Sequence, residues 1–377
     1  MRGVAPDRRG AELVVVGGGI VGCASAWALA TRGASVTLLE RNGRVCLEAS
    51  NAAAGMLAPL SEADEPGPLL DFSLRALAAY PGAVADVEAV TGIDVEFRRT
   101  GILRVALDAE GARALSRRLT WQRRTGLELH ALDAALLREL EPRLTPRAVL
   151  GVLSPEEGQV SNQQMTLALA RAAESRGARI LTRSPVTGLR VRGGRIRAVR
   201  TPAGEVEGDH FIFAAGAWTG LISRRLRDAA PPKPVRGQML ALGGMVTPVR
   251  TIVWGPRGYL VPRANGLVFA GATMEDVGFR RRTTKLAIRR LRTMAEELVP
   301  QLRAAAQPFT WYGFRPGSPD GLPIIGPAPG LANATLATGH YRYGILLGPL
   351  TGLLVAELAL TGRTPSALTP FSPARFA

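Results

Sequence analysis

The chain opens its ordered part with an unbroken apolar run, "ELVVV" (12–16), followed at once by the small-residue turn "GGGIVG" and by a stretch of helical character, "VGCASAWALATRG". A short continuous apolar run bounded by glycine reads as a strand buried on both faces. Gly33 is placed to end the helix, and "SVTLLE" (35–40) reads as a second strand. Together they predict one strand–turn–helix–strand unit of about 30 residues. Helical spacing returns over 69–90, and "TGILRVAL" reads as a strand. Polar helical segments then run to "EPRL", where Pro142 is the stop. "VSNQQMTLALARAAESRGARIL" predicts a helix from about Met165 to Gly177. A hairpin follows, "VTGLRVR" and "RIRAVRT" around Gly193-Gly194, which supply the positive φ a tight turn needs.

"DHFIFAAGAW" (209–218) reads as a further buried strand that ends in small residues, and "GYLVPR" and "GLVFAGAT" as strands of a second sheet. Between Arg280 and Arg292 the segment "RRRTTKLAIRRLR" places Leu286, Ile288 and Leu291 at helical spacing, predicting a helix with a solvated basic face. "GILLGPLTGLLVAELALTG" predicts a C-terminal helix rich in small residues. Residues 1–10 carry no apolar block and read as a frayed tail rather than a signal peptide.

Composition narrows the class. The 377 residues are 46% hydrophobic and 21% charged, enough for two domains and a buried core. No apolar run is expected to reach the ~18 residues of a membrane span. Cys23 and Cys46 are the only cysteines, with no Cys/His cluster, so neither a disulfide framework nor a metal site is expected, and a reducing cytoplasm fits. The net charge is +16, and all the basic residues except Lys233 and Lys285 are arginine. They are scattered rather than concentrated on one element, so no nucleic-acid partner is expected.

The chemistry gathers at a few motifs. Gly17-x-Gly19-x-x-Gly22 sits between a strand and a helix, and Glu40 ends the next strand. Glycines there permit a tight turn and close approach of a pyrophosphate to the helix N-terminus, while the acid accepts from ribose hydroxyls and disfavours a 2′-phosphate. The fingerprint occurs once, so electrons come from a substrate rather than from a second, nicotinamide cofactor. "EASNAAAGMLAP" (48–59) and "FAAGAW" (213–218) have little side-chain bulk, either because a flat ring lies on the backbone or simply because they are small-residue loops. "GFRPGSPDGLPIIG" (313–326) holds Arg315 among glycines and prolines and reads as a rigid loop. That arginine is either a solvated loop residue or a charge held still for an anionic ligand.

The order GGGIVG, SNAAAGM, FAAGAW, GFRPGSPDGLPIIG and GHYRYGILLGP, over about residues 12–360, resembles the D-amino-acid-oxidase family of FAD enzymes, and within it the glycine-oxidase branch tied to thiamine biosynthesis. The resemblance implies an α/β fold: a Rossmann-like FAD-binding domain from residues 11–88, 152–230 and 317–377, and an antiparallel-sheet, α+β substrate domain from 89–151 and 231–316. It implies that Gly17, Gly19, Ile20, Val21 and Gly22 hold the pyrophosphate and Glu40 the adenosine ribose. Ala49, Ser50, Ala53, Ala54, Gly55 and Met56 would line the flavin, with Val186 at the adenine. His340, Tyr341, Arg342, Tyr343, Gly344, Ile345 and Leu346 would wrap the flavin ring, with His340 a structural neighbour rather than an acid or base.

For the substrate, the resemblance implies that Arg315 clamps a carboxylate, with Tyr259 as second donor, Arg342 beside the substrate and Met274 packed against it. A guanidinium matches a carboxylate with two parallel charge-assisted hydrogen bonds, and fixing that group aims Cα at the flavin N5. No protein base is expected. The implied reaction is oxidative deamination of glycine or another small amino acid, with dioxygen reoxidising the flavin to give hydrogen peroxide. The alternatives are a dehydrogenase that hands electrons to a quinone or partner subunit, a tRNA-modifying FAD domain, and a non-catalytic flavin carrier. A homo-oligomer is expected. Relatives that attach flavin covalently do so near Gly313-Phe314, where this chain has no cysteine, so FAD should be non-covalent. Tyr343 stands where a small polar residue is expected, which would reshape the entrance.

Overall fold

In a computed structural model the structure describes residues 11–244 and 249–376; the N-terminal tail expected over 1–10 lies outside them. A six-stranded sheet runs in the order Ile324–Pro327, Ala334–Thr338, His210–Phe213, Glu12–Val16, Ser35–Leu39, Arg179–Leu181. All its neighbours are parallel except the first pair. Leu13 and Val15 pack on one side with the helices Ile20–Thr31, Asn162–Ser175 and Gly344–Thr361. Val14 and Val16 pack on the other, with Ile196 and Val199 of a three-stranded antiparallel sheet. Burial on both faces is why "ELVVV" carries no polar alternation.

The second sheet has eight strands, in the order Thr310–Gly317, Lys233–Leu242, Val268–Gly271, Gly258–Pro262, Ile252–Gly255, Ile102–Ala106, Leu150–Ser154, His130–Asp133. Its pairs are antiparallel apart from Ile252–Gly255 against Ile102–Ala106. One face carries the helix Lys285–Leu298, which buries Leu291, Met294 and Leu298. The other face gathers Met239, Trp254, Tyr259 and Val261 with Ala54 and Ala58, closing on the first half of the molecule.

The structure alters several expectations. The stretch around Arg315 is a strand rather than a loop: Thr310–Gly317 pairs along its length with Lys233–Leu242, placing Arg315 opposite Val235. Glycine and proline content misled here, because both are tolerated on an edge strand, and this strand ends the sheet. The helix expected from Met165 begins at Asn162, with the Ser161 hydroxyl accepting from Gln164 N. Arg280–Arg282 precede the basic helix instead of lying in it, and Leu286 is exposed, so its apolar stripe starts at Ala287. The strand Leu150–Ser154 continues in the second sheet across the expected junction at 151/152. Finally, Gly344–Thr361 has the 18 residues and mean hydropathy (1.7) of a membrane span by length and composition. Two-thirds of it is buried, and it packs on Ile20–Thr31 and Pro68–Thr91 as a core helix.

Candidate active site

The strand Glu12–Val16 stops where the chain must turn sharply: Gly17 has φ +111°, and a side chain there would strike the Ala214 carbonyl at 2.5 Å. The helix that follows crosses so close that a Cβ on Gly22 would lie 1.9 Å from the Gly17 oxygen. Gly19 caps the helix without a side chain, and the Ser50 hydroxyl accepts from Ile20 N at 2.9 Å. This leaves a positive helix end beside open space. That space is a cavity of about 610 Å³. It runs from the glycine turn past Ser184–Val186 and Ala214–Gly216, along Ala49–Met56 and His340–Leu346, to the wall of the second sheet.

Gly17, Gly19, Ile20, Val21, Val186, Ala49, Ser50, Ala53, Ala54, Gly55 and Met56 all line the cavity, as do His340 to Leu346 and Tyr259, Met274, Arg315 and Arg342. Gly22 and Glu40 lie behind its wall. Gly22 supplies the close crossing just described. The Glu40 carboxylate is 7% exposed; it accepts from Gly18 N at 2.7 Å and from Asn42 N and Nδ2 at 2.8 and 2.7 Å. It thus shapes the glycine turn and keeps lone pairs beyond those three bonds.

His340 is buried, its imidazole pushed down to about 4 by burial, with Nε2 3.1 Å from the Thr351 hydroxyl. It is neutral at pH 7, which fits a supporting neighbour. Tyr341 adopts φ +47°, donates its N–H to the Pro316 carbonyl at 3.0 Å, and its hydroxyl meets the Met274 sulfur at 3.3 Å. Met274 is 60% exposed and lines the cavity at its rim. Tyr343, in contrast, is buried in the core cluster with Ile345 and Leu346, its phenol pushed up by burial. The tyrosine at the entrance is therefore Tyr341.

At the far end the strand ladder fixes Arg315. Its Nη1 donates to the Thr273 carbonyl at 3.0 Å, and close by is Tyr259, a buried phenol pushed up by burial and pulled back by the Arg315 charge. The guanidinium lies against Gly237 of the neighbouring strand, where a Cβ would meet it at 2.3 to 2.6 Å. Among the described residues four arginines line the cavity, and three have a carboxylate partner: Arg41 with Glu48, Arg257 with Glu297, and Arg342 with Glu62. Among the described residues, Arg315 has no carboxylate within ion-pair distance, and its hydrogen bond goes to a backbone carbonyl.

Glu62 and Gly237 escaped the sequence reading. Glu62 ends the short helix Pro59–Glu62 and lies 2.5 Å from Arg342 Nη2, an ion pair not aligned as a hydrogen bond. Burial pushes its carboxyl up, and Arg342, Arg315 and Arg104 oppose that. A buried acid looks like any surface acid in "LSEAD", and only its position just after the small-residue loop hinted at the cavity.

A parallel sheet that ends in a glycine turn, feeding a cavity whose far wall is an antiparallel sheet with a fixed arginine, defines a dinucleotide-dependent oxidoreductase. The chain belongs to the DAO family of FAD-dependent oxidoreductases, whose description, "FAD dependent oxidoreductase", matches residues 12–358. The glycine oxidase of Geobacillus kaustophilus is 34% identical, covering 97% of each chain. The crystal structure of glycine oxidase from that organism superposes with a TM-score of 0.91, over 97% of this chain and 99% of that one. An iminodiacetate oxidase from Chelativorans superposes at 0.85, with 27% identity over 96% and 98%. The bifunctional protein ThiO/ThiG of Synechocystis is 35% identical over 97% of this chain, which spans about half (54%) of that relative's length.

The residues present fit FAD. The glycine turn and the helix end capped by a glycine suit its pyrophosphate, and the wall Ala49–Met56 offers alanines and a glycine where a flat ring needs room. Cys23 and Cys46 are buried, free and outside the lining, with thiols pushed up by burial.

Proposed function

We propose that the chain oxidises glycine or another small amine-bearing acid, releases the imino acid, and passes the electrons to dioxygen with formation of hydrogen peroxide. The observation that carries this reading is Arg315: a guanidinium on a paired strand, bonded to the Thr273 carbonyl, close to the Tyr259 phenol and facing the cavity without a carboxylate partner among the described residues. It is a receptor for one carboxylate, and Tyr259 adds a donor beside it. FAD, when bound, supplies the acceptor for the hydride that leaves the substrate's Cα. The chain's own work is orientation and exclusion of water. Arg315 and Tyr259 hold the acid end, the small wall Ala49–Met56 leaves room for the ring, and Met274 and Tyr341 stand at the rim. No side chain need act as base, since a neutral amine releases hydride directly.

We assign the cofactor to non-covalent binding, the segments 11–88, 155–230 and 317–377 to its domain, and 89–154 with 231–316 to the substrate domain, the junction expected at 151/152 being moved past the strand Leu150–Ser154. The likeness to ThiO-containing relatives supports a thiamine-biosynthesis setting, and the free thiols fit the cytoplasm. The test is an anaerobic visible titration of the holoenzyme with glycine, sarcosine, D-alanine and D-proline. Bleaching of the flavin band by a small amino acid is expected, followed by rapid recovery in air. A flavin that no amino acid bleaches would sink the reading; slow recovery in air would replace dioxygen by a quinone or a partner subunit.

A further inference from the structure

We propose that Glu62 is a specificity-determining residue that limits the substrate to a single acid group, by keeping Arg342 occupied. The inference deepens the substrate reading above and rests on it. Two guanidiniums, Arg315 and Arg342, face the same end of the cavity, and their charges both act on Glu62. The side chain of Glu62 is 8% exposed and that of Arg342 27%, whereas the Arg257 side chain, paired with Glu297 at another part of the lining, is 59% exposed and screened by water. With Glu62 ionised the pocket carries one net positive charge among these three groups, which one substrate carboxylate neutralises.

A second acid group on the substrate has to take Arg342 from Glu62, and breaking a buried pair leaves an uncompensated charge. The short helix that ends in Glu62 is pinned from behind. Glu157, fully buried, accepts from Leu60 N at 2.7 Å, Ser61 N at 3.0 Å and the Ser61 hydroxyl at 2.5 Å. Gln122 donates to the Leu60 carbonyl at 2.8 Å, and Arg118 to the Leu60 and Ser61 carbonyls at 2.9 and 3.2 Å. Arg104 donates to the Ser61 carbonyl as well. Selectivity of this kind comes from a repulsive element placed against the wrong ligand.

The test compares acetate with malonate, acids without an amine that the enzyme cannot oxidise, by their perturbation of the flavin spectrum in the holoenzyme. Glu62→Gln keeps the shape and removes the charge. Malonate should bind about tenfold or more tighter to it while acetate changes less than about threefold, and the kcat/KM ratio of iminodiacetate to glycine should rise by about the same factor. The double variant Glu62→Gln/Arg342→Met should lose the malonate gain. An unchanged malonate-to-acetate ratio in the single variant, or a gain that survives removal of Arg342, overturns the proposal. If Glu62→Gln does not fold, Arg342→Met alone decides: it should weaken both ligands by the same factor, and a loss confined to malonate overturns the idea. A wild type that oxidises no amine defeats the proposed function instead, and leaves the two binding measurements intact.

Discussion

The two ends of the cavity are built in opposite ways. The dinucleotide end is made of backbone: one continuous segment, Glu12–Gly22, turns on glycines so tight that atoms cross at contact distance. The substrate end is made of side chains, with Glu62, Tyr259, Arg315 and Arg342 arriving from four separated segments. A phosphate met by backbone N–H groups needs no particular side chain but tolerates none in the way. A carboxylate met by a guanidinium needs one side chain in one place, and that place is set by strand register. The first end should therefore fail by steric intrusion and take the fold with it, the second by loss of function with the fold preserved.

The sharpest break in that contrast is Gly22→Ala. Its Cβ would meet the Gly17 carbonyl oxygen at 1.9 Å, and both are backbone, so no side chain can move aside. We expect destabilisation of about 4 kcal/mol or more, and loss of bound FAD. Denaturant unfolding and the flavin absorbance of the purified variant check this; a yellow protein of wild-type stability would refute it.

Next comes Arg315→Lys, at the other end. Lysine keeps the charge and gives up the planar fork, so kcat/KM should fall by about 10²- to 10³-fold, or about 3 to 4 kcal/mol, with unfolding and FAD content unchanged. A loss of stability equal to the loss of activity would mean that the arginine holds the sheet together rather than the substrate.

The two ends also carry opposite pH dependences. His340, at the flavin end, is pushed down from 6.5 to about 4 by burial. Between those values the unfolded chain binds the extra proton, so its contribution is complete above pH 6.5 and is lost as the pH falls towards 4, up to about 3 kcal/mol. Glu157, behind the substrate end, is pushed up from 4.5 to about 7 by burial, against its bonds from Ser61 and Leu60. There the folded chain keeps the proton, so stability is highest below pH 4.5 and declines as the pH rises through 7, by a similar amount. Unfolding curves of His340→Gln and Glu157→Gln should diverge from wild type in opposite directions across this range. Parallel curves would show that neither group titrates on unfolding.

The same contrast explains what could be read from the sequence. Glycine spacing is local, so Gly17, Gly19 and Gly22 announced the turn, and the strand and helix on either side were found with it. Arg315 was singled out as well, for a wrong local reason: it sits in a paired edge strand, and the partner strand Lys233–Leu242 was not recognised, its alternation being blurred by burial on both faces. Glu62 carries no local signature, because what makes it unusual is the clamp by Glu157, Arg104, Arg118 and Gln122, all distant in sequence. Tyr343 is buried where an entrance residue was expected, and Tyr341 meets Met274 at the rim, since sequence distance from a motif says nothing about which side chain faces outward.

Gly237 tests whether the contrast holds for glycine itself. Like Gly22, it has no room for a Cβ, but the obstacle is the Arg315 guanidinium, at 2.3 to 2.6 Å, instead of a backbone atom. The end of a long side chain can shift by a fraction of an ångström where a helix cannot. Gly237→Ala should therefore leave FAD binding intact and stability within about 1 kcal/mol, while the displaced arginine raises KM about tenfold, near 1.4 kcal/mol. Steady-state kinetics beside a melting curve separate the two effects. If Gly237→Ala unfolds the protein as Gly22→Ala should, then Arg315 is wedged as rigidly as the glycine turn, and the substrate end is a backbone-built site after all.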